Sequence, residues 1–199
     1  SNPRKAGIIA VDLDDGDYLI GAALTDGQHD VMLFSDGGKA VRFDENDVRP
    51  MGRNARGVRG MMLDETQSVI AMLVAGDEQQ SVLTATQNGY GKRTSITEYT
   101  RHGRGTKGMI AIQQSERNGK VVAATLVHVD DEIMLITDKG VLVRTRVSEI
   151  RELGRATQGV TLIGLDEGSK LSGLQRIVEN DANPTEDDSA AGEDTTASP

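Results

Sequence analysis

Short apolar stretches alternate along most of the chain with clusters of glycine, aspartate and asparagine. Stretches of about four to eight residues that are bounded by such turn-forming clusters are typical of β-strands joined by tight turns. The pattern therefore predicts an all-β fold. The predicted strands cover residues 7–13, 19–24, 31–35, 40–43, 61–63, 69–74, 81–86, 91–94, 109–112, 121–127, 132–137, 141–145, 160–165 and 171–178.

The predicted strands belong to a repeat of 51 residues. Gly38 recurs as Gly89 and Gly140 at this step, and no insertion interrupts the repeat between these positions. Three copies without insertions indicate one supersecondary unit that is used repeatedly, here with four short strands per copy. Two further sets of residues keep the same step: Arg42, Arg93 and Arg144, and Gly57, Gly108 and Gly159.

Two recurring positions have a structural interpretation. The glycine set that begins with Gly38 lies where two predicted strands must reverse, and glycine supplies the positive φ that such turns require. Ten residues after each of these glycines comes one apolar residue: Val48, Tyr99 or Ile150. We expect these apolar residues to be anchored in the core.

Composition narrows the classes of protein that fit. The 199 residues include no cysteine, which excludes a disulfide framework and cysteine-ligated metals. No apolar run approaches the roughly 18 residues of a membrane span, and no signal segment opens the chain. The sequence therefore predicts a soluble cytoplasmic protein without a membrane partner. Because the first residue is Ser1, we expect a piece of a longer chain.

Catalytic and cofactor motifs are not evident. His29, His102 and His128 fall at unrelated positions within their repeats, beside no recurring serine or carboxylate, so neither a triad nor a metal site is predicted. No Gly-Lys-Ser/Thr ending of a phosphate-binding loop occurs. We therefore expect this chain to have no enzymatic activity of its own and to hold no cofactor.

Charge divides the chain into two parts. Residues 179–199 hold seven acidic residues, no basic residue and no valine, leucine, isoleucine, methionine or aromatic residue. Such a segment buries too little surface to offset the entropy of ordering it, so we predict a disordered acidic tail. The preceding residues 1–178, predicted as a single repetitive domain, hold 24 acidic and 22 basic residues.

Basic residues are concentrated between the predicted strands. Segments 42–59, 92–107 and 139–155 each hold five lysines or arginines. Recurrence at fixed places between glycines predicts a stripe of positive charge that a polyanion could follow, and glycine lets backbone N–H groups approach phosphate oxygens. The alternative is a solvated polar edge whose arginines pair with carboxylates such as Asp44, Glu45 and Asp47. The predicted DNA contacts are Arg42, Arg53, Arg56, Arg59, Lys92, Arg93, Arg101, Arg104, Lys107, Arg144, Arg146 and Arg155.

The small number of aromatic residues and the lack of a recognition helix indicate which type of nucleic acid the chain would bind. Five aromatic residues and no tryptophan are too few for the stacking platforms that hold single strands. No recognition helix for the major groove is evident. The chain is therefore expected to bind the backbone of a duplex with little sequence preference, and to bend it.

Three segments closely resemble the C-terminal domain of the bacterial DNA gyrase A protein: Gln-Asn-Gly-Tyr-Gly-Lys-Arg-Thr at 87–94, Leu-Val-Arg-Thr-Arg-Val-Ser-Glu-Ile at 142–150 and Gly-Leu-Gln-Arg at 173–176. The resemblance implies a β-pinwheel, a propeller-like disc of four-stranded blades that wraps duplex DNA around a basic rim. Only part of the set of blades is expected here. The implied role is to support negative supercoiling by an ATP-dependent type II topoisomerase, with the gyrase A N-terminal module and the gyrase B protein as partners. ATP and magnesium would be used elsewhere in that assembly.

The family signature Gln-Arg-Arg-Gly-Gly-Lys-Gly is not present in this chain. Its nearest relative is the segment 102–108, which keeps Arg104, Gly105, Lys107 and Gly108 in matching places. Neither Tyr90 nor Tyr99 matches the catalytic tyrosine of the topoisomerase. Two alternatives remain: the corresponding C-terminal domain of topoisomerase IV, and a propeller-like scaffold for protein interactions.

Overall fold

The computed structural model describes residues 7–178; the predicted acidic tail at 179–199 lies outside this range. The described residues form eleven strands and three short 3₁₀ turns. The strands are β1 (Asp30–Ser35), β2 (Lys39–Asp44), β3 (Val69–Ala75), β4 (Ser81–Thr86), β5 (Tyr90–Ser95), β6 (Met109–Ile110), β7 (Val121–Val127), β8 (Glu132–Thr137), β9 (Leu142–Arg146), β10 (Val160–Thr161) and β11 (Leu171–Ile177). The 3₁₀ turns are η1 (Glu45–Asp47), η2 (Ile96–Glu98) and η3 (Val147–Glu149).

The strands form three antiparallel sheets, which confirms the predicted all-β class. Their strand orders are β3-β1-β2-β6, β7-β4-β5-β10 and β11-β8-β9. Each of the hairpins β1–β2, β4–β5 and β8–β9 therefore pairs with one strand from the following repeat. In the first two sheets a fourth strand comes from the repeat after that. The sequence predicts four strands per repeat, but it does not predict this sharing.

The sheets are arranged as blades around a common axis. Strand β7 packs against both β3 and β11, so the first strand of each sheet lies nearest that axis. Strands β2 and β5 lie further out, and the two-residue strands β6 and β10 are the outermost. The segments that precede β6 and β10 therefore lie on the rim. Within residues 7–178 no helix is long and apolar enough to cross a bilayer.

Alternate residues of the strands fill the space between blades. Two of the predicted anchors are buried in this core, Tyr99 at 1% and Ile150 at 4% exposure. The Tyr99 ring meets Phe34 edge to face, with 6.0 Å between ring centroids, a favoured geometry for aromatic pairs. Val48 is only partly buried and packs against the smaller cluster of Val41, Phe43 and Met61. Burial confirms the anchor prediction fully for two of the three positions.

Two predicted strands, 7–13 and 19–24, do not form. Segment 19–24 is equivalent to β3, and β3 pairs with β1 of the preceding repeat. Within residues 7–178 no strand pairs with segment 19–24. A strand without a partner leaves its backbone groups unpaired, so the prediction of a strand at 19–24 was wrong for the part of the chain that the structure describes.

Three other predicted strands are shortened. Of the predicted strand 109–112, only β6 (Met109–Ile110) pairs, with β2. Segment 61–63 makes a single parallel bridge, between Met61 and Thr106. Of the predicted strand 160–165, only β10 forms. It pairs with two residues of β5, Tyr90 and Gly91. In segment 160–165, Leu162 and Ile163 pack against the core without pairing as a strand, whereas Met62 and Leu63 are exposed.

Candidate nucleic-acid interface

Three loops, which we call the basic loops, lie along the chain at residues 52–59, 101–108 and 152–159. The first two hold three basic residues each, and the third holds Arg155 beside Glu152. The second lies beside β2: His102 N donates to Arg42 O at 2.8 Å, and Met109 pairs with Ala40. The third repeats this arrangement on β5, where Leu153 N donates to Arg93 O at 2.9 Å. Backbone pairing to the outer strands thus places the second and third loops on the rim.

Arg42, the first arginine of the recurring set, points into the molecule. Arg42 is 7% exposed, and its Nε donates to Asp30 Oδ2 at 2.7 Å. Its Nη1 donates to the carbonyls of Ile96 and Tyr99, at 3.1 and 3.2 Å, in the next blade. Glu78 also pairs with Nη2. Arg42 therefore joins two blades, and its predicted phosphate contact is inconsistent with its burial.

Arg93 repeats this role between the next two blades. Its Nε donates to Ile150 O at 2.7 Å and its Nη1 lies 2.9 Å from Glu152 Oε2. Burial and hydrogen bonding to the chain around the following 3₁₀ turn account for the arginine at the first two of the three positions. The recurrence that suggested DNA contact for Arg42 and Arg93 reflects blade assembly.

Lys92 is the most deeply buried of the predicted contacts, with 0% exposure. Its ammonium donates to the carbonyls of Gly154 and Arg155, and to Thr157 Oγ1 at 3.1 Å. Burial lowers the pKa of Lys92 to about 8; the nearby Glu98 carboxylate opposes that change and Arg155 adds to it. Lys92 therefore holds the third basic loop from inside, and its burial is inconsistent with a direct contact to DNA.

The buried ammonium predicts an unusual pH dependence. Because the folded-state pKa is depressed, the unfolded chain binds more protons between about pH 8 and the ordinary lysine pKa. Stability contributed by Lys92 should therefore rise with pH in that window. Relative to Lys92→Met, the wild type is expected to gain on the order of 1 kcal/mol between pH 8 and 10. Urea unfolding of both proteins at the two pH values measures this difference, and a constant difference would contradict it.

Arg155 is also used inside the protein. Its Nη1 donates to Ile110 O at 2.9 Å, and its backbone N–H donates to Glu98 Oε2 at 3.1 Å. Together with the contacts of Lys92, these bonds fix the third basic loop against β5 and η2. The Arg155 side chain is half-buried, so little of it is accessible for the predicted contact with DNA.

Open cations are found mainly in the first two basic loops. Arg53, Arg59 and Lys107 are exposed, and no ion-pair partner for them is found within residues 7–178. Arg104 is exposed as well; its Nε donates to Asp47 O at 3.0 Å and its Nη1 to Arg59 O at 3.3 Å. Carbonyl partners do not neutralise its charge. These four side chains can approach phosphates from the rim.

Four other predicted contacts lie at the surface beside carboxylates. Arg56, 68% exposed, pairs with Asp12 at 3.3 Å and Asp14 at 2.9 Å. Arg101 lies 2.7 Å from Asp30 Oδ1. For these residues the alternative of a solvated polar edge, in which arginines pair with carboxylates, holds in part. The neighbouring carboxylates reduce the local net charge. The remaining two, Arg144 and Arg146, approach Glu132.

Cations on the opposite, turn-forming edge of the rim were not predicted. Lys39 begins β2, and its ammonium has no ion-pair partner among residues 7–178. Arg117 and Lys120 are exposed in the loop that precedes β7. The position next to the turn glycine could have drawn attention to Lys39. Arg117 has no basic counterpart in the other repeats, so a search for recurrence does not find it.

The three histidines lie in separate loops, and two of them make contacts with carboxylates. Asp26, His29 and Glu45 bring ligand-type atoms within 4.8 Å of one another. Glu45 Oε1 already accepts from His29 N at 2.7 Å and Gly27 N at 3.0 Å, while Asp26 contacts the His29 ring. This cluster closes the loop before β1. The other contact joins His128 to Asp77 in the neighbouring blade, at 2.8 Å.

Blades that share strands, with exposed cations along the rim, define a propeller-like domain suited to a polyanion. The family model described as DNA gyrase C-terminal domain, beta-propeller, matches residues 1–26, 29–75, 80–128 and 131–177. The chain belongs to this family, which confirms the resemblance found in the sequence.

Similar proteins agree on the family. The DNA gyrase A protein of Pseudomonas aeruginosa is 52% identical over 187 residues, covering 94% of this chain and 20% of that protein. The gyrase A protein of Salmonella typhimurium is 55% identical over 179 residues, with 90% and 20% covered. That of Escherichia coli K12 is 51% identical over 198 residues, with 98% and 22% covered. The chain thus spans about a fifth of the length of these relatives.

Solved structures share the β-pinwheel fold. A DNA gyrase A C-terminal domain superposes with a TM-score of 0.80 at 30% identity, over 87% of this chain and 59% of that one. A C-terminal domain of DNA topoisomerase IV gives the same TM-score at 25% identity, over 84% and 52%. The fold therefore does not separate the two enzymes, whereas the sequence relatives are gyrase A proteins.

Proposed function

We propose that this chain binds duplex DNA along its rim and bends it without sequence preference, as the wrapping module of a gyrase A protein. The observation that carries this proposal is the group of open cations on the rim: Arg53, Arg59, Arg104 and Lys107. Their side chains are exposed, and within residues 7–178 no carboxylate neutralises them. Family membership supports the same conclusion.

Backbone contacts on a curved surface favour bent DNA. The first basic loop adjoins the second, where Arg104 Nη1 donates to Arg59 O at 3.3 Å, so phosphates bound to both must follow the rim. Smoothly bending a site by 40–90° costs on the order of 1–6 kcal/mol, which added phosphate contacts offset. Within residues 7–178 the only helices are three-residue 3₁₀ turns, so no helix can enter the major groove. The binding mode is therefore one of charge and shape.

The wider role concerns the whole protein from which such a chain comes. Its relatives are gyrase A proteins, so the proposed setting is a type II topoisomerase in the bacterial cytoplasm. Wrapped DNA would support negative supercoiling that is driven by ATP, with magnesium and ATP bound elsewhere in the assembly. The proposed partners are the gyrase A N-terminal module and the gyrase B protein. This chain itself is proposed to hold no cofactor and to catalyse no step.

Salt dependence tests the proposal. Fluorescence anisotropy with a random duplex is expected to give a slope of about −3 to −5 for log K against log salt, since about four or five cations reach phosphates. Changing the sequence of the duplex should alter affinity little. A slope near zero, or strong preference for one sequence, would contradict the proposal. A scaffold for protein interactions would leave the duplex unbound.

A further inference from the structure

Arg117 is held against an aromatic ring on the turn-forming edge of the rim. Its guanidinium carbon lies 4.5 Å from the centroid of the Tyr90 ring. A hydrogen bond from Arg117 also lowers the pKa of the Tyr90 hydroxyl. Arg117 is exposed, and Tyr90 begins the outer strand β5. A guanidinium that rests on a ring keeps N–H groups at its edges available for an anion.

The loop that carries Arg117 is fixed by two asparagines. Asn118 is 0% exposed, and its Nδ2 donates to Gln113 O at 2.9 Å and to Gln158 O at 3.1 Å. Asn88 Nδ2 donates to the carbonyl of Arg117 itself at 3.0 Å. The backbone of Arg117 is therefore ordered before any ligand arrives. An ordered cation loses less conformational entropy on binding than a free one.

The preceding blade also places a cation at the equivalent point, but there the cation belongs to the residue of the outer strand itself. Tyr90 is 51 residues after Lys39, and both begin an outer strand. Lys39 pairs with Ile110, and Tyr90 pairs with the equivalent Thr161. In the first blade this position carries the ammonium of Lys39. In the second blade it carries a tyrosine whose ring supports the guanidinium of Arg117.

We infer that Arg117, supported by Tyr90, binds a phosphate of duplex DNA on the turn-forming edge of the rim, at the point equivalent to Lys39 on the blade before. This inference rests on the proposed function. It adds a second line of contacts beside the outer strands, on the edge opposite the 3₁₀ turns. Phosphate is the chemistry that fits, because a planar guanidinium donates two parallel hydrogen bonds to its oxygens. The contact carries no sequence information, as expected for binding to the backbone.

Four variants test the inference by anisotropy with the same random duplex. Arg117→Gln should weaken binding roughly fivefold at 0.1 M salt and reduce the magnitude of the salt slope by about one. Tyr90→Ala should also weaken binding although the net charge is unchanged, whereas Tyr90→Phe should keep most of the affinity. The double variant Arg117→Gln, Tyr90→Ala should lose no more than Arg117→Gln alone, because the ring acts through the arginine. The matched control is Arg176→Gln on the inner strand β11, which should bind like the wild type.

The outcomes separate this inference from the proposed function. If the wild type does not bind the duplex, the proposed function fails and the inference fails with it. If the wild type binds with a steep salt slope but Arg117→Gln behaves like Arg176→Gln, the inference alone is overturned. Additive losses in the double variant would show that Tyr90 does not position Arg117. Arg117 is exposed, so its variant should melt like the wild type and report on binding even if Tyr90→Ala fails to fold.

Discussion

Charge reversal in the second basic loop, Arg104→Glu with Lys107→Glu, is expected to weaken binding to a random duplex on the order of a hundredfold at 0.1 M salt. Both side chains are exposed on the rim. Losing one phosphate contact costs close to tenfold at this salt concentration, and two new carboxylates add repulsion. Anisotropy titrations measure the change. The fold should be retained, because neither side chain contributes to the core clusters.

The matched control reverses two charges in the first basic loop, Arg53→Glu with Arg56→Glu. It changes the net charge by the same amount, but Arg56 is already paired with Asp12 and Asp14. We therefore expect a clearly smaller loss of affinity from this pair. Equal losses would mean that local ion pairing does not determine which loop contacts DNA.

Gly89→Ala should destabilise the protein by about 3 kcal/mol or more, whereas Gly140→Ala should cost about 1 kcal/mol. Both glycines end equivalent turns with nearly equal φ, 81° and 79°, a region that favours glycine over alanine. Only at Gly89 would the added Cβ lie 2.6 Å from a backbone oxygen, that of Ile163. At Gly140 no described atom lies within 4 Å of that position.

Urea unfolding followed by circular dichroism compares the two variants directly. Because both substitutions meet the same backbone strain, the difference between them isolates the close approach of two chain segments. Similar losses at the two positions would contradict this account. The comparison also tests the interpretation of the recurring glycine: the positive φ confirms its role in the turn, and the contact with Ile163 adds a packing role.

Local pattern predicted the individual strands well. The predicted bounds 81–86, 121–127 and 132–137 coincide with β4, β7 and β8, because apolar stretches and turn residues define them without distant partners. Partnering between strands could not be predicted in this way. Segment 19–24 has a strand-like sequence, but no strand among residues 7–178 pairs with it, and sequence pattern alone does not reveal this.

For the candidate site, too, the sequence repeat indicated local features but not contacts between distant parts of the chain. Repetition correctly located the basic loops, but it did not distinguish a cation that faces solvent from one that joins two blades. Val41 and Lys92 occupy equivalent positions, and only the fold reveals that the lysine crosses the interior to Gly154 and Arg155. Contacts between the exposed cations and DNA remain predictions.

Strand sharing has a consequence for how the chain acquires its structure during synthesis. The β1–β2 hairpin ends at Asp44, yet its sheet is complete only when β3 and then β6 have been made. Contacts between segments so far apart in sequence form slowly, and open strand edges are exposed while they wait. A nascent chain should therefore need protection from aggregation until two further repeats have left the ribosome. Once folded, no blade can unravel without removing a strand from its neighbour, so the blades should unfold together and not one at a time.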